Sequence, residues 1–551
     1  MELNLGYTDT SVSNAYRALL LIEAGLNITQ IESLPNLGTY VRSLQHVKLR
    51  SKSPILVNDQ LESQRLEAYQ LLIDGLRGCS ANWDGLQEVG KALKLYPGDA
   101  KLSQLRQGLK EAFKEQHNQL TEAGCETKHT KDITRTGRIY QKIYPWMDQN
   151  LCWRTPALVR EVNKSFNKGN AEVRPVFFGT PEEVAQAAMK VKREGEDVGP
   201  LGIFATRNIK EGEVILVDHT LLGISDVPSS NLEACDACQA SLRMPYVHPK
   251  DIKIPKCCGK VAYCGKTCYD TAVNGYHSIV CGKDFDWIYT SSLCGFTGEK
   301  GVCGSRWRPI MFTRLMAIIL ADMRAPGCKV THPLQHPLLA RMSANYAPPS
   351  KLTPESTHQW QYFENVVAPT QILLQLGINV FTSPIYTQDV LQTIYWRLEN
   401  NANMGSSTLT YDLPDGTTAT APTVNCVNLN PNYLFFNHSC EPNISWHGGA
   451  VPDTEISIAW LENTNGEFEK VGCSAVLCHA GRDIVAGEEL KISYIGDPLG
   501  LEEGEGPLKG VGREGKRAWM GKWFEDGCGC RVCEKENEIA RQKAKERGED
   551  I

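Results

Sequence analysis

Residues 435–443 of the chain read FFNHSCEPN. This stretch places two aromatic residues, a histidine, a cysteine and two asparagines within nine positions, which is more chemistry than a plain hydrophobic core requires. Two later strings stand out in the same way: GEELKISYIG at residues 487–496 and CGCRVC at residues 528–533. Each of the three strings is modest evidence alone, so their meaning depends on the rest of the chain.

Length and composition bound the class of protein. At 551 residues the chain is several times a usual domain of ~100–150 residues, which predicts two to four domains. A formal net charge of −6 gives no general electrostatic reason to bind nucleic acid directly. The amino terminus lacks a basic-then-apolar leader, and the longest apolar run, RLMAIILADM, is far short of the ~20 residues of a membrane span. We therefore expect a soluble intracellular protein, nuclear or cytoplasmic, with no membrane contact.

The 20 cysteines are the unusual feature of the composition. In an intracellular protein they would stay reduced, so clustered cysteines indicate bound metal rather than disulfides. The strings CDAC, CCGKVAYCGKTC and GYHSIVC supply eight candidate ligands: Cys235, Cys238, Cys257, Cys258, Cys264, Cys268, His277 and Cys281. A tetrahedral zinc takes four Cys or His ligands, so this segment can hold two zinc ions. The scattered cysteines are predicted to be small buried hydrophobic residues: Cys79, Cys125, Cys152, Cys294, Cys303, Cys328, Cys426, Cys473 and Cys478.

The pattern along the chain alternates between helical and strand-like regions. SVSNAYRALLLIEAGL opens with serines that could cap a helix, and residues 82–116 predict helix, Pro-Gly-Asp turn, helix. This region resembles a degenerate tetratricopeptide repeat, although a helical hairpin without a binding role explains it equally well. GCETKHTKDITRTGR predicts a linker, and LGIFATRNIKEGEVILVDHTLLGI predicts strands with turns at Glu-Gly. Residues 305–400 predict helices, short strands return after Thr423, and the charged carboxy-terminal tail predicts a frayed or disordered helix.

The order of the cysteines between Cys235 and Cys281 resembles a MYND zinc finger, in which ligand pairs interleave. The resemblance implies one zinc held by Cys235, Cys238, Cys264 and Cys268, and a second held by Cys258, His277 and Cys281. The fourth ligand of the second zinc is expected three residues before Cys258, where this chain has Pro255, so Cys257 is the nearby replacement. Such fingers resemble protein-interaction modules, and a full set of protein ligands makes each zinc structural.

FFNHSCEPN, GEELKISYIG and CGCRVC, in this order and spacing, resemble the catalytic half of SET-domain protein lysine methyltransferases. With the finger inserted upstream, the chain resembles the SET-and-MYND methyltransferases over residues 195 to 535. The resemblance implies that FFNHSC threads beside ISY to form a knot-like active site, and that Tyr494 is the catalytic tyrosine. It implies contacts to S-adenosylmethionine from the following residues: Gly202, Asn401, Asn437, His438 and Phe524.

The same resemblance gives Cys440 a purpose. Cys440 would join Cys528, Cys530 and Cys533 in a further zinc site, which ties the carboxy-terminal post-SET segment to the cofactor loop. The expected fold is an α+β multidomain protein with a helical amino-terminal region, a β-rich SET fold, an inserted zinc finger, a helical insert and a zinc-bound post-SET segment. The predicted regions are the amino-terminal helices (1–125), a linker and pre-SET segment (126–194), the first SET strands (195–234), the zinc finger (235–281), the helical insert (282–400), the catalytic SET core (401–499), the post-SET segment (500–535) and a charged tail (536–551).

Two function classes remain open. The first is transfer of a methyl group to a lysine of a histone or other protein, with partner proteins bound through the finger and the amino-terminal helices. The second is an interaction scaffold with an idle SET-like core, which departures from the family pattern at Pro200 and Asp526 keep open. A zinc-dependent DNA-binding regulator is disfavoured by the negative charge and the lack of a basic recognition helix.

Overall fold

The structure is a computed structural model with mixed helices and sheets. It describes the following residues: 2–26, 54–122, 135–166, 169–177, 193–225, 234–240, 242, 247–290, 307–343, 357–407, 410–412, 418–420, 424–448, 460–462, 468–470, 475–496, 512–521, 523–524 and 526–547. The chain divides into two compact units. The first unit comprises Met1–Met147, Ile279–Ala321 and Thr357–Trp396, and the second comprises Asp148–Ser278, Asp322–Ser356 and Arg397–Ile551.

The elements are labelled in chain order. The α-helices of the described residues are α1 (Thr8–Gly25), α2 (Pro54–Gly78), α3 (Asn82–Leu95), α4 (Ala100–Glu122), α5 (Pro156–Asn163), α6 (Lys266–Asn274), α7 (His277–Val280), α8 (Trp287–Thr290), α9 (Trp307–Arg324), α10 (Pro337–Arg341), α11 (Ala368–Gln375), α12 (Gln388–Asn401), α13 (Arg513–Met520) and α14 (Arg531–Glu546). The strands are β1 (Gly137–Ile139), β2 (Ala171–Pro175), β3 (Leu201–Ala205), β4 (Val214–His219), β5 (Gly223–Ser225), β6 (His358–Trp360), β7 (Asn403–Ser407), β8 (Thr410–Asp412), β9 (Thr418–Thr420), β10 (Val424–Asn428), β11 (Asn437–His438), β12 (Ile444–Gly448), β13 (Trp460–Glu462), β14 (Phe468–Lys470), β15 (Ala475–Ala480) and β16 (Glu489–Ile492).

Helices dominate the first unit, as the amino-terminal pattern predicts. The Pro-Gly-Asp turn joins α3 to α4, and Asp99 Oδ1 accepts a hydrogen bond from the amide of Leu102 (2.7 Å) as an amino-terminal cap. Helix α1 packs against α2. A Cβ atom added at Gly75 would lie 2.7 Å from the Val12 side chain, so the absence of a side chain allows the two helices to approach closely.

The prediction that serines cap the first helix is wrong. Helix α1 begins at Thr8, so Ser11 and Ser13 lie inside it. Ser13 Oγ instead donates a hydrogen bond to the carbonyl of Asp9 one turn earlier (3.1 Å), which is the alternative use of a serine hydroxyl in a helix.

The polar segment predicted as a linker carries regular structure at its end. Residues 123–134 lie outside the described residues, but β1 follows at Gly137 and pairs antiparallel with β6. A Cβ at Gly137 would lie 2.7 Å from the Cys79 carbonyl and 2.9 Å from that of Trp360. The glycine of the polar segment therefore permits a close backbone contact rather than chain flexibility.

Sheets dominate the second unit. The strand orders are β11-β16-β3-β2, β12-β15-β4 and β5-β10-β7, with the two hairpins β13-β14 and β8-β9. Strands β3 and β4 confirm the strand prediction for LGIFATRNIKEGEVIL, and Gly212 turns the chain between them with φ of +77°. One hydrophobic core includes Ile203, Leu216, Phe435 and Leu490, and it contains residues of the β11-β16-β3-β2 and β12-β15-β4 sheets.

The outer strand β2 has a side chain where a neighbouring strand would be. The Asn163 side chain donates through Nδ2 to the Val173 carbonyl (3.0 Å) and accepts through Oδ1 from the Val173 amide (2.7 Å). Asn163 ends helix α5, so this helix is fixed at the edge of the four-stranded sheet. Residues 126–194 thus contain a strand of that sheet as well as a connection.

The carboxy-terminal prediction is partly right. Helix α14 begins at Arg531, before the predicted tail, and continues to Glu546. Among the scattered cysteines, Cys79, Cys426 and Cys478 are buried as predicted, whereas Cys328 is exposed and Cys152 is intermediate. The remainder, Cys125, Cys294, Cys303 and Cys473, lie outside the described residues. Within the described part of the chain, no helix combines the length and apolarity that crossing a bilayer requires.

Candidate functional site

The two strings FFNHSC and KISY lie side by side. Strand β11 pairs in parallel with β16, with Asn437 opposite Lys491 and His438 opposite Ile492. The pairing continues beyond the strand, since the Ser439 amide donates to the Ile492 carbonyl (2.9 Å). The expected adjacency of the two segments is therefore present in the four-stranded sheet.

Tyr494 is held by both ends. Its amide donates to Nδ1 of His438 (3.1 Å), and its hydroxyl donates to the Phe436 carbonyl (2.7 Å). Burial raises the pKa of the Tyr494 hydroxyl, and the nearby Glu489 carboxylate raises it further. The phenol therefore stays protonated at neutral pH, and it can orient a neighbouring group but not act as a base.

His438 lies close to two aromatic rings. Its ring centroid lies 5.3 Å from that of Tyr494 and 6.0 Å from that of Phe524, and only 2% of the residue is exposed. One ring nitrogen accepts from Tyr494, and the other lies 3.5 Å from Cys440 Sγ. The His438 ring is thus committed to the protein, so any contact to a cofactor would come from its backbone.

Asn437 lies over Gly202 in the same sheet. Its Nδ2 donates to Glu489 Oε1 (2.8 Å) and to the Leu201 carbonyl (3.2 Å). A Cβ at Gly202 would meet Glu489 Oε1 at 2.7 Å and Asn437 Nδ2 at 2.9 Å, so only glycine fits there without displacement. None of the described residues donates to Oδ1 of Asn437, which leaves an acceptor for a bound molecule.

Asn401 has a different environment from the other predicted cofactor residues. Its amide pairs with the backbone of Ser343, with Nδ2 donating to the carbonyl (2.6 Å) and Oδ1 accepting from the amide (3.1 Å). Nδ2 also donates to the Arg397 carbonyl (2.7 Å). These bonds hold residue 343 against the end of α12, and none of them goes to the segment containing Asn437.

The aromatic residues near the site are either fully buried or partly buried. Phe435 and Phe436 are 2% and 1% exposed, so they belong to the hydrophobic core rather than to an open channel. Trp523 is partly buried, and its ring nitrogen donates to Asn400 Oδ1 (3.1 Å). Sequence reasoning missed Trp446, whose ring centroid lies 5.1 Å from that of Tyr433 and whose ring nitrogen donates to the Ser493 carbonyl (3.4 Å), next to Tyr494.

Asp218 anchors the segment that leads into FFNHSC, and sequence reasoning missed it. Its carboxylate accepts from the backbone amides of Asn432 (2.6 Å) and Tyr433 (2.8 Å) and from the Asn432 side chain (3.0 Å). Burial raises the pKa of Asp218 to about 6, against the opposing effect of these hydrogen bonds. The available signal was a charged residue inside the apolar strand string VILVDH.

Cys440 meets the three carboxy-terminal cysteines, as expected. The sulfurs of Cys440, Cys528, Cys530 and Cys533 lie within 4.8 Å of one another, and three of the pairs are 3.7–3.8 Å apart. A tetrahedral zinc with Zn–S bonds of about 2.3 Å places its sulfurs about 3.8 Å apart. The donor set and its spacing therefore fit zinc, and they are far too wide for a disulfide.

The first predicted finger site has the same geometry. The sulfurs of Cys235, Cys238, Cys264 and Cys268 lie within 4.8 Å of one another, with Cys264 3.6 Å from both Cys238 and Cys268. This cluster fits one zinc ion.

The second finger site brings both adjacent cysteines to the histidine. His277 Nε2 lies 3.2 Å from Cys257 Sγ and 3.7 Å from Cys258 Sγ, and Cys281 completes a group of four within 4.8 Å. Pro255 supplies no ligand, so Cys257 occupies the fourth position of this group. The donor chemistry of three sulfurs with one imidazole fits zinc.

Comparison with known families gives one match. The profile of the SET domain matches residues 200–495, which is more than half of the chain. The matched range contains Gly202, Asn437, His438 and Tyr494, together with the first two cysteine clusters and Cys440. A search of curated proteins finds no match.

Proposed function

Because the chain belongs to the SET-domain family, whose members are typically protein lysine methyltransferases, we propose that it transfers a methyl group from S-adenosylmethionine to the side-chain amine of a lysine in a protein substrate. The substrate would be a histone or another protein. The family match supports the reaction class, and the arrangement of side chains supports the assignment of residues.

One observation carries the proposal: the parallel pairing of β11 with β16. This pairing sets Tyr494 against His438, whose imidazole also lies near the Phe524 ring. Tyr494, as the catalytic residue, would present its hydroxyl beside the reacting methyl group. Knot formation by these segments is part of the proposal.

Asn437, Gly202 and the backbone of His438 would hold the cofactor. Asn437 in β11 and Gly202 in β3 are separated by β16, but a Cβ at Gly202 would lie 2.9 Å from Asn437 Nδ2, so a bound molecule could contact both residues. When bound, S-adenosylmethionine supplies an activated methyl group on a sulfonium. Phe524 would add an apolar contact from the carboxy-terminal segment. Asn401 would act on the cofactor only if its bonds to Ser343 were exchanged.

The protein's main task is to prepare the lysine. A lysine with a pKa of ~10.4 lies about 3 units above neutral pH, so deprotonating it costs roughly 4 kcal/mol. Apolar surroundings lower that pKa by removing water from the charged amine. Since Tyr494 keeps its own proton, the site needs desolvation and alignment rather than a general base.

The three cysteine clusters would hold structural zinc. Two would stabilise a MYND-like finger between Cys235 and Cys281, and one would join Cys440 to a post-SET segment. Closed four-ligand sites leave no position for a reacting water, so these ions would contribute folding energy rather than chemistry. The finger and the amino-terminal helices would bind partner proteins.

The idle scaffold is the alternative. Pro200 replaces a family glycine, but its carbonyl still accepts from the Val176 amide (2.8 Å). Asp526 replaces an aromatic residue and is exposed, while Phe524 keeps its contact with His438. Neither change removes a group from the Tyr494 site, so the enzyme is the better supported reading.

The test is calorimetric binding of S-adenosylmethionine to the zinc-loaded chain, followed by methyl transfer to histones and other protein substrates. We expect binding by the wild type, weaker binding by Asn437→Ala, and unchanged binding by Asn150→Ala, an exposed asparagine. Tyr494→Phe should bind the cofactor but transfer methyl groups slowly. No binding by a folded, zinc-loaded wild type would leave the scaffold function.

A further inference from the structure

Arg513 lies against the sulfur atoms of the cluster formed by Cys440, Cys528, Cys530 and Cys533. It is the first residue of α13. Its Nη1 donates to Cys440 Sγ (3.2 Å), and its Nη2 donates to Cys533 Sγ (3.4 Å). One guanidinium thus bridges a cysteine of the cofactor loop and a cysteine of the carboxy-terminal segment.

The guanidinium is fixed from its other side by Glu536. Arg513 Nε lies 2.8 Å from Glu536 Oε1, and Nη2 lies 2.9 Å from Oε2. Glu536 follows Cys533 by three residues on α14, so this helix carries both a cysteine of the cluster and the carboxylate that orients Arg513. Arg517 makes a further ion pair with Glu536. A two-pronged pair of this kind gives a fixed orientation that a single lysine contact does not.

The charge of the cluster explains why a cation is useful there. A zinc ion with four thiolates carries a net charge of −2, and the side chain of Arg513 is only 20% exposed, so water screens that charge incompletely. N–H donors directed at two of the sulfurs stabilise this charge and fix the sulfur positions. Partners around a metal ligand typically contribute 10–100-fold in metal affinity.

We propose that Arg513 is a positioning residue that locks the zinc centre of Cys440, Cys528, Cys530 and Cys533. Through Cys440, whose sulfur lies 3.5 Å from His438 Nε2, Arg513 also helps to fix the imidazole that lies near the rings of Tyr494 and Phe524. The inference rests on the zinc part of the proposed function and does not require methyl transfer.

The test measures zinc release from the full-length, zinc-loaded chain to a colorimetric chelator. Cys530→Ala removes a ligand that Arg513 does not contact, so the kinetic phase missing in this variant belongs to the cluster. Arg513→Met should accelerate that phase 10–100-fold, and Arg513→Lys should fall between Met and wild type. Arg531→Met is the matched control, since Arg531 pairs with Glu441 beside the cluster (3.1 Å) and contacts no sulfur.

A second readout distinguishes a direct effect of Arg513 on the metal site from a general loss of protein stability. In cobalt-loaded protein, the sulfur-to-metal absorption band of this cluster should shift in Arg513→Met and stay in place in Arg531→Met. Equal release rates and unshifted bands in the two variants would overturn the proposal. Fast release in Arg513→Met with an unshifted band and a matching fall in melting temperature would also overturn it. These measurements do not use methyl transfer, so their result does not depend on whether the protein is an active enzyme.

Discussion

Replacing Asp218 should loosen the loop that leads into the site without unfolding the rest of the unit. Asp218→Ala leaves two backbone amides, those of Asn432 and Tyr433, without their acceptor. A buried donor without a partner costs about 1–3 kcal/mol, so losing both bonds should cost about 3 kcal/mol of local stability after relaxation. That change corresponds to an equilibrium constant for opening of the loop that is about 150-fold larger.

Asp218→Asn is the matched variant. Its carbonyl oxygen can accept from both backbone amides, and only the bond from the Asn432 side chain is lost, because Arg341 donates to Asn432 Oδ1 (3.2 Å) and keeps that amide in its present orientation. The expected cost is therefore about 1 kcal/mol, below that of the Ala variant. Both the Ala and the Asn variant lose the charge of Asp218, so the difference in local stability between them measures the contribution of the hydrogen bonds.

Acidification should favour the wild type over the Asn variant. Burial raises the folded-state pKa of Asp218 from 3.8 to about 6, so the folded protein holds this proton more tightly than the unfolded chain does. Stability from this group is therefore lowest above pH 6 and increases as the pH falls from about 6 toward 4. A shift of roughly two units makes the full change about 3 kcal/mol.

Hydrogen–deuterium exchange of peptides covering residues 430–438 measures both effects as local protection factors between pH 4.5 and 8. Peptides from α4 serve as an internal control, because this helix belongs to the other unit. The reasoning fails if Asp218→Ala changes loop protection less than threefold. It also fails if the difference between wild type and Asp218→Asn shrinks on acidification.

Three further predictions concern single positions. Tyr494→Phe should slow single-turnover methyl transfer at least tenfold while cofactor affinity stays within about twofold, because only the hydroxyl is lost. A tenfold slowing that is fully explained by weaker cofactor binding would contradict this prediction. Gly202→Ala should destabilise its unit by about 1–3 kcal/mol in thermal unfolding, since the new Cβ would meet three side-chain atoms within 2.9 Å, whereas Gly90→Ala, with no atom within 4 Å, should be neutral or stabilising. Cys264→Ala should lower the zinc content by one ion per chain in elemental analysis; an unchanged content would exclude zinc at that cluster.

Much of the site could be predicted because cysteine and asparagine strings carry their chemistry in their spacing. The grouping of Cys440 with Cys528, Cys530 and Cys533 is implied by the family resemblance, and the structure brings these sulfurs together. The strand prediction after Gly199 followed from β-branched residues and turn signals, which are local properties.

The errors and omissions have non-local causes. Asp218 and Asn432 are 214 residues apart in the chain, so no periodic pattern reports their contact. The same is true of Arg513 and Cys440, separated by 73 residues. The serine at position 11 carried a genuine capping propensity, but α1 begins at Thr8, because packing against α2 decides where the helix lies.

The side-chain amide of Asn163 limits which extended chains can pair with the outer edge of strand β2. An outer strand with open backbone groups invites a second copy, or a peptide, to add itself to the sheet. At Val173 both groups are already satisfied by this one side chain, and Pro175 at the end of the same strand has no N–H to offer. A substrate bound in extended form therefore has to pair elsewhere, and the sheet that carries Asn437 is protected from growing by self-association at this edge.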